Sequence, residues 1–407
     1  MKVFALRIAA GAVRVLAAFA GLFAPHRNHP GGSIVLISCQ DDKPSQDILD
    51  LEKTLDAPYI HVLSGRMKRS PGGAILFAGR LFSMLRYIAS ARIVVIDSYC
   101  AAVCIPKKRS GQKVLQLWHA AEAIKKFSWQ IVDKPAGYSR QVAEILCMHK
   151  NYDHILCPSA ATRPFFSQSF GYPEDVFVKY GLPSLDRVGL MRRPAAGNGE
   201  SPERLETRDL IKARYPELRE RPLTIVYAPT FRDGATADAE GFVRGVLSVY
   251  EGLGAGENEL KITLVVKLHP FEATWFAAPP GLPVLQDAEF SLIEWYAAAD
   301  VIVTDYSGIA IDAAAAGIAS YYYIYDIEEY MAGRGLNVDI RKEAVGKYAY
   351  PDARELALQV FRDFGIGTQG TRDAAYDYEA LKEFADKYLE VSLSGNTEAL
   401  SAFIKSL

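Results

Sequence analysis

Short apolar runs alternate with segments of helical period along most of the chain. In the first half, runs that suit strands fall at SIVLIS (33–38), YIHVL (59–63), ARIVVID (91–97), KVLQLW (113–118), DHILC (153–157) and VFVKY (176–180). Turn residues and helical patterns lie between them, as in GAILFAGRLFSMLRYIAS (73–90) and AGYSRQVAEILCMHK (136–150). Near-continuous apolar strands separated by helices predict a parallel sheet covered on both faces. The stretch MRRPAAGNGESPERLE (191–206) is rich in Pro, Gly and charge and predicts a linker or exposed loop. The rhythm restarts with LTIVYAPT (223–230), LKITLVVKLHP (260–270), LPVLQD (282–287), DVIVTDY (300–306) and SYYYIYD (320–326). The pattern predicts an α/β protein with two doubly wound domains, over 31–195 and 206–370, a hinge near residue 200 and a helical tail over 371–407.

Residues 1–30 stand apart. MKVFALRIAAGAVRVLAAFAGLFAPHRNHP is apolar but interrupted by Lys2, Arg7 and Arg14. At about 100° per residue, Arg7, Gly11 and Arg14 share one helical face. The uninterrupted apolar part, 15–24, is too short for a membrane span, and Pro25 ends the helix. The charge pattern fits an amphipathic helix lying on an anionic membrane surface. A signal peptide and a core helix are the two other readings.

Composition narrows the classes. Half the residues are hydrophobic and 23% charged, as in a globular protein with a real core. The net charge of -2 gives no global attraction to nucleic acid. Five cysteines show neither CxxC pairs nor a disulfide framework, which predicts reduced core thiols. The seven histidines form no ligand cluster, and neither a metal nor a cofactor is expected.

Ligands of open α/β sheets bind beyond the carboxyl ends of the strands, so residues there carry the functional reading. LTIVYAPTFRDG places Thr230, Arg232 and Asp233 past one strand, and LKITLVVKLHP places Lys267 and His269 past another. VIVTDYSGIAIDAAAAG places Asp305, Tyr306, Ser307 and Gly308 on a strand-to-helix turn, with Asp312 inside the helix. Arg232, Lys267 and His269 offer positive charge and donors. Free N–H groups at the helix start favour an anion, and glycine lets it approach closely. A phosphate or diphosphate suits this set; a helix cap amid surface charges is the plainer reading. In the first domain, KVLQLWHAAEAIKKF ends a strand on His119, followed by a predicted helix with Lys125 and Lys126. A lone histidine there reads most simply as structural or surface; at the mouth of the domain, with a near-neutral pKa, it also suits a general base for an acceptor hydroxyl.

The ordered set GQKVLQLWHA, YAPTFRD, KLHP, VTDYSGIAIDAAAAG, YDIEEY and RGL, over about residues 90 to 345, resembles the CDP-glycerol glycerophosphotransferase family of teichoic-acid primases and polymerases. The resemblance implies a GT-B fold, two Rossmann-like domains with the active site between them. It implies attack of an acceptor hydroxyl on the glycerol-side phosphate of CDP-glycerol or a related CDP-polyol, with release of CMP. It assigns the base to His119, diphosphate contact to His269, and the holding of nucleotide or phosphates to Asp305, Tyr306 and Ser307. It also implies a lipid-linked saccharide acceptor and a peripheral position on the cytoplasmic face of the cell membrane. The chain departs from the family pattern at Ala120-Ala121-Glu122, where Gly-Thr-Pro is expected. It departs again at Gly308 for a second serine, at Ser184 for arginine in GLPSLD (181–186), and at Val345-Gly346 for Pro-Gly. These departures fall mainly on the acceptor side. A glycosyltransferase using a nucleotide sugar on the same fold, and a non-catalytic scaffold, are the rival readings.

Overall fold

The computed structural model describes residues 2–25, 33–57, 60–64, 71–120, 123–194, 199–219, 223–230, 232, 238–253, 262–268, 284–366 and 375–407. The chain divides into two compact units. The first is Met1–Asp186 together with Glu390–Leu407, and the second is Arg187–Leu389.

The first unit is built on β1 (Ser33–Ser38), β2 (Ile60–Ser64), β3 (Ala91–Ile96), β4 (Lys113–Gln116), β5 (His154–Leu156) and β6 (Phe177–Val178). They form a parallel sheet of order β2-β1-β3-β4-β5-β6. Alternation along the strands feeds two cores. Val35, Ile37, Val94 and Ile96 pack on one face, and Ile34, Leu36, Ile93 and Val95 on the other. The second core is closed by Ile48, Leu51 and Leu55 from helix Gln46–Leu55 and by Leu400 and Ile404 from helix Asn396–Ser406. The predicted tail is therefore split, with helix Tyr378–Tyr388 in the second unit and the last helix in the first. Asp186 fixes the last helix by accepting from Asn396 N (2.9 Å), Thr397 N (2.9 Å) and Thr397 Oγ1 (2.6 Å). Those bonds outweigh burial and hold its carboxyl below the usual range. A Cβ on Gly181 would collide with the Asn396 side chain, so this approach requires glycine. The GLPSLD stretch thus acts as a docking point for the end of the chain.

The N-terminal helix, Lys2–Ala20, belongs to the same unit and packs against helices Pro71–Ser90 and Arg140–Ile145. Ala10, Val13 and Ala20 are buried in the first core, with Leu16 and Ala17 partly buried beside them. Phe4, Ile8, Val15 and Phe19 are exposed, as is Leu22 in the following turn. Val3–Phe23 is long and apolar enough to cross a membrane by length and composition, although 15–24 alone is not.

The second unit is built on β7 (Leu223–Tyr227), β8 (Ile262–Val266), β9 (Val284–Gln286), β10 (Val301–Thr304), β11 (Ala319–Tyr323) and β12 (Ala349–Tyr350). Its parallel order is β12-β11-β10-β7-β8-β9. The central strands β7, β8, β10 and β11 are buried throughout, as expected of a sheet covered on both faces. The predicted linker 191–206 is part of this unit instead. Helix Pro202–Arg214 starts there, capped by Ser201, and Arg204 is 3% exposed. Its guanidinium donates to the carbonyls of Met191 and Tyr296, which ties the stretch down. The predicted helix 136–150 shortens to Arg140–Ile145. Left-handed φ at Cys147 (49°), His149 (57°) and Asn151 (77°) takes the chain out of it.

Candidate functional site

In the first unit, β4 runs into a turn at Trp118, whose φ of 62° is unusual for a bulky residue. Two contacts hold it there. Trp118 N donates to Gln116 Oε1 at 2.8 Å, and the indole stacks on Phe127 at 4.8 Å. The His119 ring lies 4.1 Å from the indole, centroid to centroid. Its Nδ1 is 3.3 Å from the carbonyl oxygen of Asp97. A carbonyl only accepts, so Nδ1 carries the hydrogen and Nε2 keeps its lone pair. The Asp97 carboxylate is in turn engaged by Ser45 Oγ (2.8 Å), Ser98 Oγ (3.0 Å) and Cys39 N (3.3 Å). His119 is exposed, yet protein atoms crowd the ring. Desolvation therefore pulls its pKa below 6.5, against the opposing pull of Asp97.

Behind this ring sits a second histidine with a different role. His149 is 3% exposed, with Nε2 2.7 Å from Ser128 Oγ and Nδ1 3.1 Å from Tyr152 Oη. Burial, with a smaller contribution from His119, lowers its pKa to about 3. Residues 123–127 are not the predicted helix; a short 3-10 turn, Ser128–Ile131, follows them.

In the second unit, the structure brings Thr230, Arg232, Asp305 and Tyr306 into one buried cluster with Asp326. Arg232, 8% exposed, donates to Asp305 Oδ2 (2.8 Å), Asp326 Oδ2 (2.9 Å) and the Thr230 carbonyl (2.7 Å). Asp305 Oδ1 accepts from Thr230 N (2.9 Å) and Tyr306 N (2.6 Å). Tyr306 Oη donates to Asp326 Oδ1 at 3.0 Å. The guanidinium also sits over the rings of Tyr330 (5.0 Å), Tyr306 (5.4 Å) and Tyr325 (5.7 Å). The carboxylates overcome the effect of burial and hold Arg232 firmly protonated. Burial, then Asp326 and Asp305, push the Tyr306 phenol far up, so it stays neutral. The cluster ties the ends of β7, β10 and β11 together. Arg232, expected as an open cation, is a buried strut here, and the Thr230 hydroxyl is buried with no hydrogen-bond partner among the described residues.

Lys267 lies apart from this cluster. Its Nζ is 2.9 Å from Asp287 Oδ2, which also accepts from Trp295 Nε1 at 2.8 Å; Tyr215 Oη donates to Oδ1 at 2.6 Å. These bonds outweigh burial and lower the Asp287 pKa to about 2. Ser307 and Gly308 precede helix Ile309–Ala315, so their N–H groups are not used inside it. Gly308 has φ −56°, a conformation open to any residue, so backbone geometry does not demand glycine. Asp312 is partly buried in the first turn of that helix. His269 and Asp233 lie outside the described residues. Among the described residues, no group of three or more His, Cys, Asp or Glu side chains could hold a metal ion.

Sequence reasoning missed Asp326, Asp97, Gln116 and Asp287. Asp326 stood in the noted YDIEEY stretch, but nothing local marks it as the partner of an arginine 94 residues away.

Comparison with known proteins gives the site its context. The chain is 26% identical to a teichoic acid ribitol-phosphate primase of Bacillus spizizenii, over 100% of this chain and 98% of that protein. It is 23% identical to a teichoic acid glycerol-phosphate primase of Bacillus subtilis, over 78% of this chain and 74% of that one. Among solved structures, the wall teichoic acid polymerase TagF superposes with a TM-score of 0.70 at 16% identity, covering 100% of this chain and 97% of that chain. That likeness shows the fold, an α/β arrangement of the GT-B-like kind. The family model for CDP-glycerol:poly(glycerophosphate) glycerophosphotransferase matches residues 25–405, and the chain belongs to that family.

Proposed function

We propose that the protein transfers a polyol phosphate from a CDP-activated polyol to an acceptor hydroxyl, releasing CMP, in the synthesis of a teichoic-acid-like polymer. The observation that carries this reading is the family match over residues 25–405. His119 adds the chemistry: an exposed imidazole, neutral at pH 7, with the proton fixed on Nδ1 and Nε2 available as base. The acceptor oxygen forms a bond to the polyol-side phosphorus, its proton passes to Nε2, and the bond from that phosphorus to the CMP oxygen breaks. The second unit supplies a rigid frame for the diphosphate. The Arg232–Asp305–Asp326 cluster fixes the turn that presents the Ser307 and Gly308 amides, and the orphan Thr230 hydroxyl is a further donor. His269 joins this set by the family resemblance.

The donor is CDP-glycerol or CDP-ribitol, since the relatives include primases for both polyols. The acceptor in this reading is a lipid-linked saccharide. The decisive experiment is CMP release from each donor with several lipid-linked acceptors, with product mass measured. No release from either donor, together with binding of a UDP-sugar in calorimetry, would overturn the reading in favour of a glycosyltransferase.

The same reading sets the enzyme on the cytoplasmic face of the membrane. The outward stripe of Phe4, Ile8, Val15, Phe19 and Leu22, beside exposed Arg7 and Arg14, suits a helix lying in an anionic surface. Deleting residues 1–24 is a poor test, because Ala10, Val13 and Ala20 complete the core. A Phe4→Glu/Ile8→Glu/Val15→Glu variant should keep its fold yet no longer sediment with phosphatidylglycerol vesicles. Unchanged sedimentation would reject the attachment.

A further inference from the structure

The amino ends of β7 and β10, opposite to the strand ends described above, border a cavity of about 680 Å³ in the second unit. That volume lies within the range of small-ligand pockets, roughly 300–1,000 Å³. β7 has five residues, so about 16 Å of strand separates the cavity from the Thr230 end. One wall is helix Pro202–Arg214, which lines the cavity with Arg204, Arg208 and Lys212 at i, i+4 and i+8. Like charges at that spacing destabilise a helix unless something neutralises them. Glu200 serves the first two, at 2.9 Å from Arg204 and 2.8 Å from Arg208. Arg193 is bound to Asp300 (2.7 Å) and to the Ala299 carbonyl (2.9 Å). Both acidic residues of the lining are thereby used, while Lys212 and Arg219 reach no carboxylate among the described residues. The lining therefore carries five basic side chains against two acidic ones.

The rest of the lining limits what the anion is. It is aliphatic and small, with Leu218 and Ala297–Ala299, and it contains no aromatic ring on which a base could stack. Phosphates joined by short hydroxylated spacers match both the charge and the walls; a nucleotide does not.

We propose that this cavity is a second anion site, which binds a short phosphodiester segment of polyol phosphate units. The identity of the ligand rests on the transfer reading; the excess positive charge of the cavity does not. The site gives the enzyme a hold on polymer away from the reacting groups. The 191–206 stretch, which reads as a linker in sequence, supplies Arg193, Glu200 and Arg204 to it.

The test is titration calorimetry of the full-length protein with a synthetic trimer of glycerol phosphate, alongside CMP release from CDP-glycerol on a short acceptor. The trimer should bind, and raising NaCl from 50 to 500 mM should weaken it. The Lys212→Ala/Arg219→Ala variant, which removes no buried contact, should bind it at least tenfold more weakly while CMP release stays within twofold. Failure of the trimer to bind, or equal binding by the variant, overturns the site while leaving the transfer reading intact. Loss of CMP release in the wild type with trimer binding preserved overturns the transfer reading alone. If the variant loses sedimentation with phosphatidylglycerol vesicles but keeps trimer binding, the cavity serves a lipid headgroup and the proposal falls.

Discussion

At the carboxyl ends of the first sheet, one imidazole stands exposed, held by a neighbouring indole and a backbone carbonyl. At the carboxyl ends of the second sheet, the residues that look most chemical in sequence, Arg232, Asp305 and Tyr306, are nearly all buried and bonded to one another. The difference reflects what each group is suited to do. A base must reach solvent-borne substrate and keep a free lone pair, so its supports engage its other nitrogen. An arginine shared by two carboxylates is costly to disturb, and such a group serves better to fix a turn than to greet a ligand. In the proposed function, residues of the same motif set therefore divide into an exposed base and a buried group that holds the backbone still.

The comparison breaks most directly at His119. His119→Ala should lower kcat by about 10² to 10⁴ with donor affinity unchanged, because one general base contributes about that much. Its lowered pKa places the acid limb of kcat/KM below pH 6.5, the ordinary histidine value. Near-normal turnover would refute the base assignment.

Arg232→Ala should act through stability first. It strands two carboxylates, one buried and one mostly buried, and the expected loss is about 3–5 kcal/mol for the second unit. Activity should fall with the folded fraction, and Asp326→Asn should give a smaller loss in the same direction. A stable, folded Arg232→Ala protein with only donor binding impaired would return Arg232 to the ligand-binding set.

His149 offers a pH test of the first unit. Its folded pKa, about 3, lies below the ordinary 6.5. Above pH 6.5 neither state binds the proton; below it the unfolded chain does and the folded chain does not, so stability falls until pH 3. At pH 5 the loss from this group is about 2 kcal/mol. Urea midpoints measured from pH 7 to pH 5 should show it, and His149→Gln should flatten the dependence. An unchanged slope in that variant would place the acid sensitivity elsewhere.

The smallest effect sharpens the contrast from the other side. Ser307 Oγ accepts from Ile309 N at 3.5 Å, a weak bond just before the helix, whose N-cap is Gly308. Ser307→Ala should therefore cost less than about 1 kcal/mol of stability. If the serine meets the donor, KM for the CDP-polyol rises with kcat little changed; an unaltered KM removes it from the site.

Much of this was legible before the fold was known. Every expected strand is present at its expected place, because parallel strands buried on both faces write continuous apolar runs. β12, two residues long at Ala349–Tyr350, leaves no such run and was not foreseen. The last helix was expected in a tail, yet it joins the first unit. Its amphipathic pattern states that Leu400 and Ile404 are buried but not against what. The 191–206 stretch read as a linker because an arginine buried against carbonyls looks, in sequence, like any surface charge.

The sequence alone determined the doubly wound α/β class, where the strands end and the candidacy of His119, since period and turn chemistry are local properties. Tertiary structure decided which charges are free. Arg232, Asp305 and Asp326 meet only when three strand ends converge, and among the described residues Lys212 and Arg219 reach no carboxylate, the two acids that share their cavity being paired with other arginines. Burial and pairing depend on residues far apart in the chain, and a charge acquires its role from them.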